Sequence, residues 1–229
     1  MIFFVTGTDT GIGKTYATAV LARAFSALGQ KVITQKLVQT GAREPEDLLL
    51  HRKLAGLPVD PPELLALTCP YIFAYPAAPE TAAALEGQEI DVLHLKETLK
   101  ILEQNYDVVL TEGAGGLYVP LTAAYTIYDF INLVMVPVFV VSAARLGTIN
   151  HTVLTLKALK QRGLYVVGLL YNLHFAEDEF LAQRSLADIK RLAGVENVLL
   201  LPTIKDEIPA SLVEEAAGFL AKILSRPRF

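Results

Sequence analysis

Cysteine is almost missing: Cys69 is the one thiol in 229 residues. That excludes a disulfide within the chain and any zinc site built from several cysteines. Long hydrophobic runs are missing too. The longest apolar stretches, such as residues 136–141, are strand-sized, far short of the roughly 20 residues that cross a bilayer. The chain opens on a short apolar run, residues 2–5, followed at once by Thr6-Gly7-Thr8-Asp9. A signal peptide would show a basic start, a longer apolar stretch and a small-residue cleavage site. The carboxyl end, residues 219–229, is short and mildly basic, unlike the longer basic, apolar stripe of a membrane-surface helix. Positive charge is scarce, with 20 Lys and Arg against 24 Asp and Glu and a net charge of −4. Generic nucleic-acid binding, which needs dense Lys and Arg, is thereby set aside. These absences predict a cytoplasmic protein with no membrane and no nucleic-acid partner.

What is present is apolar material. Hydrophobic residues make up 52% of the chain and charged ones 19%, which excludes a disordered chain. The length suits one α/β domain across residues 1–229. Strand-like runs fall at residues 2–6, 32–35, 108–111, 138–142, 166–171 and 198–201. Most are apolar throughout rather than alternating, so both faces are expected to be buried. Helical spacing appears between them. One helix is expected to open near Gly13 and stop at Gly29, with Ala17, Val20, Leu21, Ala24 and Leu28 on one face; others are expected over 91–105, 147–162 and 177–193. This alternation predicts a doubly wound α/β fold with a mainly parallel sheet and helices on both faces. Residues 41–87 break it. Seven prolines from Pro45 to Pro79 predict short helices and irregular loops, which at this length often carry function.

The strongest chemical signal is Gly7-Thr-Asp-Thr-Gly-Ile-Gly-Lys-Thr15, between the first strand and the first helix. Glycines let consecutive backbone N–H groups curl toward an anion. The helix start adds partial positive charge. Lys14 is placed to reach the β- and γ-phosphates, and the Thr15 hydroxyl to ligate Mg²⁺. The context is that of a P-loop NTPase, although Thr8 occupies the position where the usual pattern has its first glycine. The competing reading is an ordinary glycine-rich turn.

Other residues are expected at the same sheet edge, where open α/β sheets bind ligands. Glu112 is expected just past the end of the third strand-like run, and could hold Mg²⁺ or merely cap a loop; Gly113, Ala114, Gly115 and Gly116 follow and allow close backbone approach. Lys36 and Thr40 are expected at the end of the second strand. A lysine there could neutralise a transferring phosphoryl group or be a plain surface residue. Asp47 could face Mg²⁺ or simply open a helix. Asn172, ending a strand, could read an adenine edge or cap a turn. His51, His94, His151 and His174 show no close metal-ligand spacing, and Cys69 before Pro70 fits a packed small residue.

Taken together, these segments resemble the dethiobiotin synthetase family of ATP-dependent cyclo-ligases. The resemblance is carried by Gly7–Thr15, Lys36-Leu-Val-Gln-Thr-Gly41, the stretch from Pro70 to Pro79, Glu112-Gly-Ala-Gly-Gly116, Leu146-Gly-Thr-Ile-Asn-His151 and Tyr171-Asn172. It runs from residue 3 to about residue 205. It implies that Thr10, Gly11, Ile12, Gly13, Lys14, Thr15 and Tyr16 wrap the ATP phosphates, with Gly113, Ala114 and Gly115 beside them. It implies Mg²⁺ on Thr15, Asp47 and Glu112, and Lys36 together with Lys14 as the catalytic cations. It assigns Thr40 to the diamine end of the substrate and Asn172, Pro202 and Thr203 to adenine. Leu146, Gly147, Thr148 and Asn150 would meet the substrate carboxylate across a homodimer interface. Two departures stand out: Leu37 replaces a proline common in the family, and Arg145 stands where lysine is common. The implied reaction takes 7,8-diaminopelargonate, CO₂ or bicarbonate, and ATP through a carbamate and a carbamic–phosphoric anhydride to dethiobiotin, in biotin synthesis. Competing readings are a cobyrinate-type amide ligase, a partition-type ATP switch and a relative with altered substrate. The first lacks room for its glutamine-hydrolysing domain here. The second usually carries an early loop lysine, and none precedes Lys14 in this loop.

Overall fold

The computed structural model describes residues 1–225. The last four positions of the mildly basic end, 226–229, lie outside the described residues. In chain order the elements are β1 (Ile2–Gly7), α1 (Lys14–Ala27), β2 (Val32–Lys36), β3 (Gln39–Thr40), α2 (Glu46–Ala55), α3 (Pro62–Thr68), β4 (Ile72–Phe73), α4 (Pro79–Leu85), α5 (Val92–Asn105), β5 (Val108–Gly116), α6 (Ile127–Val134), β6 (Val138–Ala143), α7 (Thr148–Gln161), β7 (Val166–Asn172), a 3-10 turn (Leu173–Phe175), α8 (Glu179–Ala193), β8 (Val198–Leu201) and α9 (Ala210–Leu224).

The six apolar runs form one sheet in the order β2-β5-β1-β6-β7-β8, and every neighbouring pair is parallel. Successive side chains on a strand point to opposite faces. Phe4 and Val109 therefore enter one apolar core with Leu95, Leu99, Phe130 and Leu156. Phe3, Val5 and Val108 enter the other, against Val20 and Leu21 of α1 and Leu212 and Leu220 of α9. Two cores on one sheet explain why the strands are apolar throughout. No helix among the described residues is long and apolar enough to cross a membrane.

The structure corrects two placements. Thr40 is not at the end of β2: it belongs to a separate two-stranded ladder, where Thr40 pairs with Phe73. Glu112 is not past a strand end: β5 continues through Gly116, and Glu112 pairs with Lys36 on one side and Val5 on the other. The β1–β5 register shifts between Val5 and Gly7, so that Gly7 pairs with Gly116. Gly116 has backbone oxygens of Gly7 and Thr8 at ordinary contact distance from where a Cβ would stand, which keeps the two glycine-bearing segments close. Helices α6 and α9 were not among the sequence expectations.

Candidate active site

The loop after β1 has the shape its glycines allow. Gly11 and Gly13 have φ of 67° and 93°, a region that costs an L-residue about 1–2 kcal/mol. Ile12 is buried and anchors the loop, while Asn172 Nδ2 donates to Ile12 O at 2.9 Å. Thr10 lies on the exposed side, its N–H donating to Asp9 Oδ1. Among the described residues the N–H groups of Gly11, Ile12 and Gly13 donate to no protein acceptor. The first helical bond of α1 is Ala17 N to Gly13 O, so the N–H groups of Lys14, Thr15 and Tyr16 also lack i−4 partners. This is a row of donors at a positive helix end, and it fits a polyphosphate. Lys14 is buried and folds back, with Nζ donating to Asp9 O at 2.8 Å. Burial lowers its pKa to about 8, with Glu112 opposing and Lys36 reinforcing that shift.

Beside the loop lies a buried charge cluster. Lys36 ends β2 and Glu112 is its register partner on β5. Lys36 Nζ stands 2.6 Å from Glu112 Oε1 and 2.7 Å from Asp47 Oδ2. Asp47 Oδ1 accepts from the Thr15 hydroxyl at 2.9 Å, and its backbone N–H donates to Gln39 Oε1 at 3.2 Å. The second Glu112 oxygen faces Thr18 Oγ1 at 3.0 Å and His51 Nε2 at 2.8 Å. Burial alone would push Glu112 up; the Lys36 ammonium and His51 outweigh it and hold the carboxyl well below its usual range. Burial alone would push Lys36 down; Glu112 and Asp47 outweigh it and raise the amine above its usual value. Lys36 is thus a fixed cation rather than a surface lysine, and Glu112 is an inward carboxylate rather than a loop cap. Thr15, Asp47 and Glu112 offer hard oxygen donors beside the phosphate loop, a set that fits Mg²⁺.

A cleft of about 300 Å³ opens next to this cluster, lined by Gly11, Gly13, Thr15, Tyr16 and Asp47 together with Asn172, His174, Phe175 and Pro202. Leu50, Leu201 and Ile204 add apolar lining. The Asn172 side chain is partly committed: Oδ1 caps the 3-10 turn by accepting from His174 N, and Nδ2 binds Ile12 O. One amide N–H remains for a base. Thr203 does not line the cleft, and its hydroxyl meets His174 Nδ1 at 3.2 Å.

Thr40 is half-buried, on a ladder that the Pro70–Pro79 segment supports. Gly41, with φ of 76°, packs against Pro76. Leu146 is fully exposed, Asn150 is exposed and Gly147 caps α7 at φ 87°. No hydrogen bond or ion pair joins Leu146, Gly147, Thr148 or Asn150 to Lys36, Asp47 or Glu112 among the described residues. The Thr148 hydroxyl turns inward to Ser142 at 2.9 Å and its N–H donates to Arg145 O. Its side chain is therefore directed into the protein. Arg145 links this loop to the phosphate loop through Asp9 at 2.6 Å.

Sequence reasoning missed Thr18 and His51. Each stands four residues after a singled-out residue on a helix, Lys14 and Asp47 respectively. Spacing of that kind was the available signal.

A parallel sheet with a glycine-rich phosphate loop at the β1–α1 turn defines a P-loop NTPase. The MinC:MinD cell division complex of Aquifex aeolicus matches with a TM-score of 0.54 and 16% identity, covering 95% of this chain and 86% of that one. A ParA family ATPase from Chlorobium tepidum TLS gives 0.53 and 13%, covering 98% and 92%. At such identities the likeness is one of fold. Residues 2–210 match a family model described as an AAA domain. The ATP-dependent dethiobiotin synthetase BioD of Chlorobaculum tepidum is 44% identical over 99% of this chain and 94% of its own length. That of Anaeromyxobacter dehalogenans strain 2CP-C is 43% identical over 87% and 88%, and BioD 2 of Haemophilus influenzae 42% over 75% and 90%. The chain belongs to the dethiobiotin synthetase family.

Proposed function

We propose that the protein carboxylates 7,8-diaminopelargonate with CO₂ and closes the ureido ring at the expense of ATP, releasing dethiobiotin, ADP and phosphate. The observation that carries this reading is the Lys36 cation, held between Asp47 and Glu112 beside the phosphate loop. An acyl-phosphate-forming ligase needs charge at that point, and family membership supplies the substrate.

The chemistry proceeds in three steps. An amine nitrogen bonds to CO₂ and loses a proton, giving a carbamate. A carbamate oxygen takes the γ-phosphoryl group and ADP departs. The second amine then bonds to the carbonyl carbon, phosphate leaves with the C–O bond pair, and the amine proton passes to solvent or phosphate.

Phosphoryl transfer asks the protein for positioning and charge rather than covalent help. Lys14 and the open N–H groups of Gly11 to Tyr16 hold the triphosphate. Lys36, kept protonated by its two carboxylates, acts as a fixed charge on the transferring group and not as a base. Mg²⁺, held by Thr15, Asp47 and Glu112, would add positive charge at the phosphates. The cleft beyond Tyr16 takes the base. Thr40 orients the diamine. Holding both amines near one carbonyl makes ring closure intramolecular, worth about 7–11 kcal/mol of barrier. The exposed start of α7 receives the substrate carboxylate in a homodimer, through the N–H groups of Ile149 and Asn150, which precede the first helical bond at His151. A cytoplasmic location agrees with the lone buried thiol.

The test is phosphate release from Mg·ATP and bicarbonate, with and without the diamine, together with the product mass. Diamine-dependent release and a cyclic urea support the reading. ATP binding without a diamine response refutes the substrate assignment and leaves the phosphate loop intact.

A further inference from the structure

His51 is fully buried, and its imidazole has two nitrogens with unequal fates. Nε2 lies 2.8 Å from Glu112 Oε2, whereas Nδ1 is buried with no hydrogen-bond partner. A buried polar atom without a partner has lost its hydration with nothing in return, a net cost to the fold. A leucine at this position would fill the space without that cost. The histidine therefore calls for an explanation beyond packing, and the Nε2 contact provides one.

The geometry says what that contact does. Asp47 and His51 are four residues apart on α2, so they share a face. From that face Asp47 reaches Lys36 and His51 reaches Glu112. Glu112 Oε1 is taken by Lys36. On Oε2 the other neighbour is Thr18, whose single hydroxyl proton is also claimed by Lys14 O at 2.9 Å. A hydroxyl has one proton to give, so it cannot serve both acceptors at once. His51 Nε2–H is the donor on Oε2 without a competing acceptor, and it locks the carboxylate's rotation. Metal-holding carboxylates depend on such outer hydrogen bonds.

We propose that His51 is a positioning residue: its Nε2–H holds Glu112 in the orientation used when Mg²⁺·nucleotide binds. The inference rests on the reading of Glu112 as a Mg²⁺ group.

The experiment is calorimetric titration of the full chain with ADP, in excess Mg²⁺ and in EDTA, which isolates the affinity gained from the metal. His51→Leu removes the donor. His51→Asn keeps a polar group too short to reach Oε2. His51→Gln places an amide N–H near the position of Nε2. The metal-dependent gain is expected to fall about tenfold or more in Leu and Asn, to recover in Gln, and the affinity in EDTA to stay near wild type. If Leu fails to fold, the Asn and Gln pair decides alone. Equal gains in Asn and Gln overturn the proposal, as does a matching loss in EDTA, which would mark a merely structural role. A wild-type protein with no metal-dependent gain overturns the metal site itself. Intact wild-type gain with unaltered variants overturns only the role of His51.

Discussion

Lys36 and Glu112 are register partners across the β2–β5 ladder, and their side chains meet at 2.6 Å, both buried. The pairing makes the site a feature of the sheet rather than of a loop. Removing the cation leaves the buried Glu112 carboxylate without its ion-pair partner, a loss that costs about 3–5 kcal/mol. Lys36→Met is expected to lower stability by that order in EDTA and to recover more than wild type does when Mg²⁺ is added. Turnover should fall about 10²–10³-fold while ADP binding survives. Thermal unfolding with and without Mg²⁺, followed by phosphate-release assays, checks both halves. Unchanged turnover would remove Lys36 from the mechanism.

Two glycines separate loop geometry from loop chemistry. Gly13 and Gly29 both have positive φ, 93° and 78°. A Cβ on Gly13 would strike the Asn172 amide, whereas a Cβ on Gly29 meets nothing within 4 Å. Gly29→Ala should cost only the backbone strain, about 1–2 kcal/mol, and leave nucleotide binding alone. Gly13→Ala should displace Asn172 from Ile12 and abolish ATP binding. Equal ADP affinity in the two variants would contradict this account.

Asp129 gives a pH dependence away from the site. Its carboxylate accepts from the Thr126 hydroxyl and N–H at the start of α6, and from Arg162 at 2.8 Å. Those bonds, the Thr126 hydroxyl first, lower its pKa from 3.8 to about 2. A depressed carboxylate pKa stabilises the fold above the unfolded value, and that contribution is lost as pH falls through the folded value. Asp129→Asn should therefore cost about 0.5–2 kcal/mol at pH 6. The gap between wild type and variant should close between about pH 4 and pH 2. Urea unfolding across that range measures it; a constant gap would show that Asp129 acts without its charge.

The sheet was legible because its strands are buried on both faces, which leaves an apolar signature that no loop imitates. The phosphate loop was legible because its glycines are local. Helix α6 went unread although Thr126-Ile-Tyr-Asp129 is a capping box, with both reciprocal bonds present in the structure; such a box before an apolar run marks a helix start. Helix α9 carried a readable stripe in Leu212, Ala216, Leu220 and Ile223. His51 is different in kind. Its spacing from Asp47 puts it on the same helix face, but its partner is 61 residues away, and only the β2–β5 pairing identifies that partner. Glu112 was legible as a candidate but not its place within the strand, because β5 runs on through glycines that propensity would end.

The exposed start of α7 allows a substitution whose effects on fold and on function have opposite signs. Asn150 is exposed in the first turn, ahead of the first helical bond at His151. An acidic residue there favours the helix by interacting with its positive end. If a substrate carboxylate from a partner subunit docks at that end, the same acid repels it. Two unit charges about 4 Å apart interact by about 1 kcal/mol even in bulk water, and by more where water is thinned. Asn150→Asp should therefore leave the unfolding temperature unchanged or raised, leave Mg·ATP affinity unchanged, and raise KM for the diamine about fivefold or more. Light scattering on the same samples should give twice the chain mass. A monomer, or a KM that does not move, would separate the α7 start from the substrate and confine the active site to the cluster around Lys36.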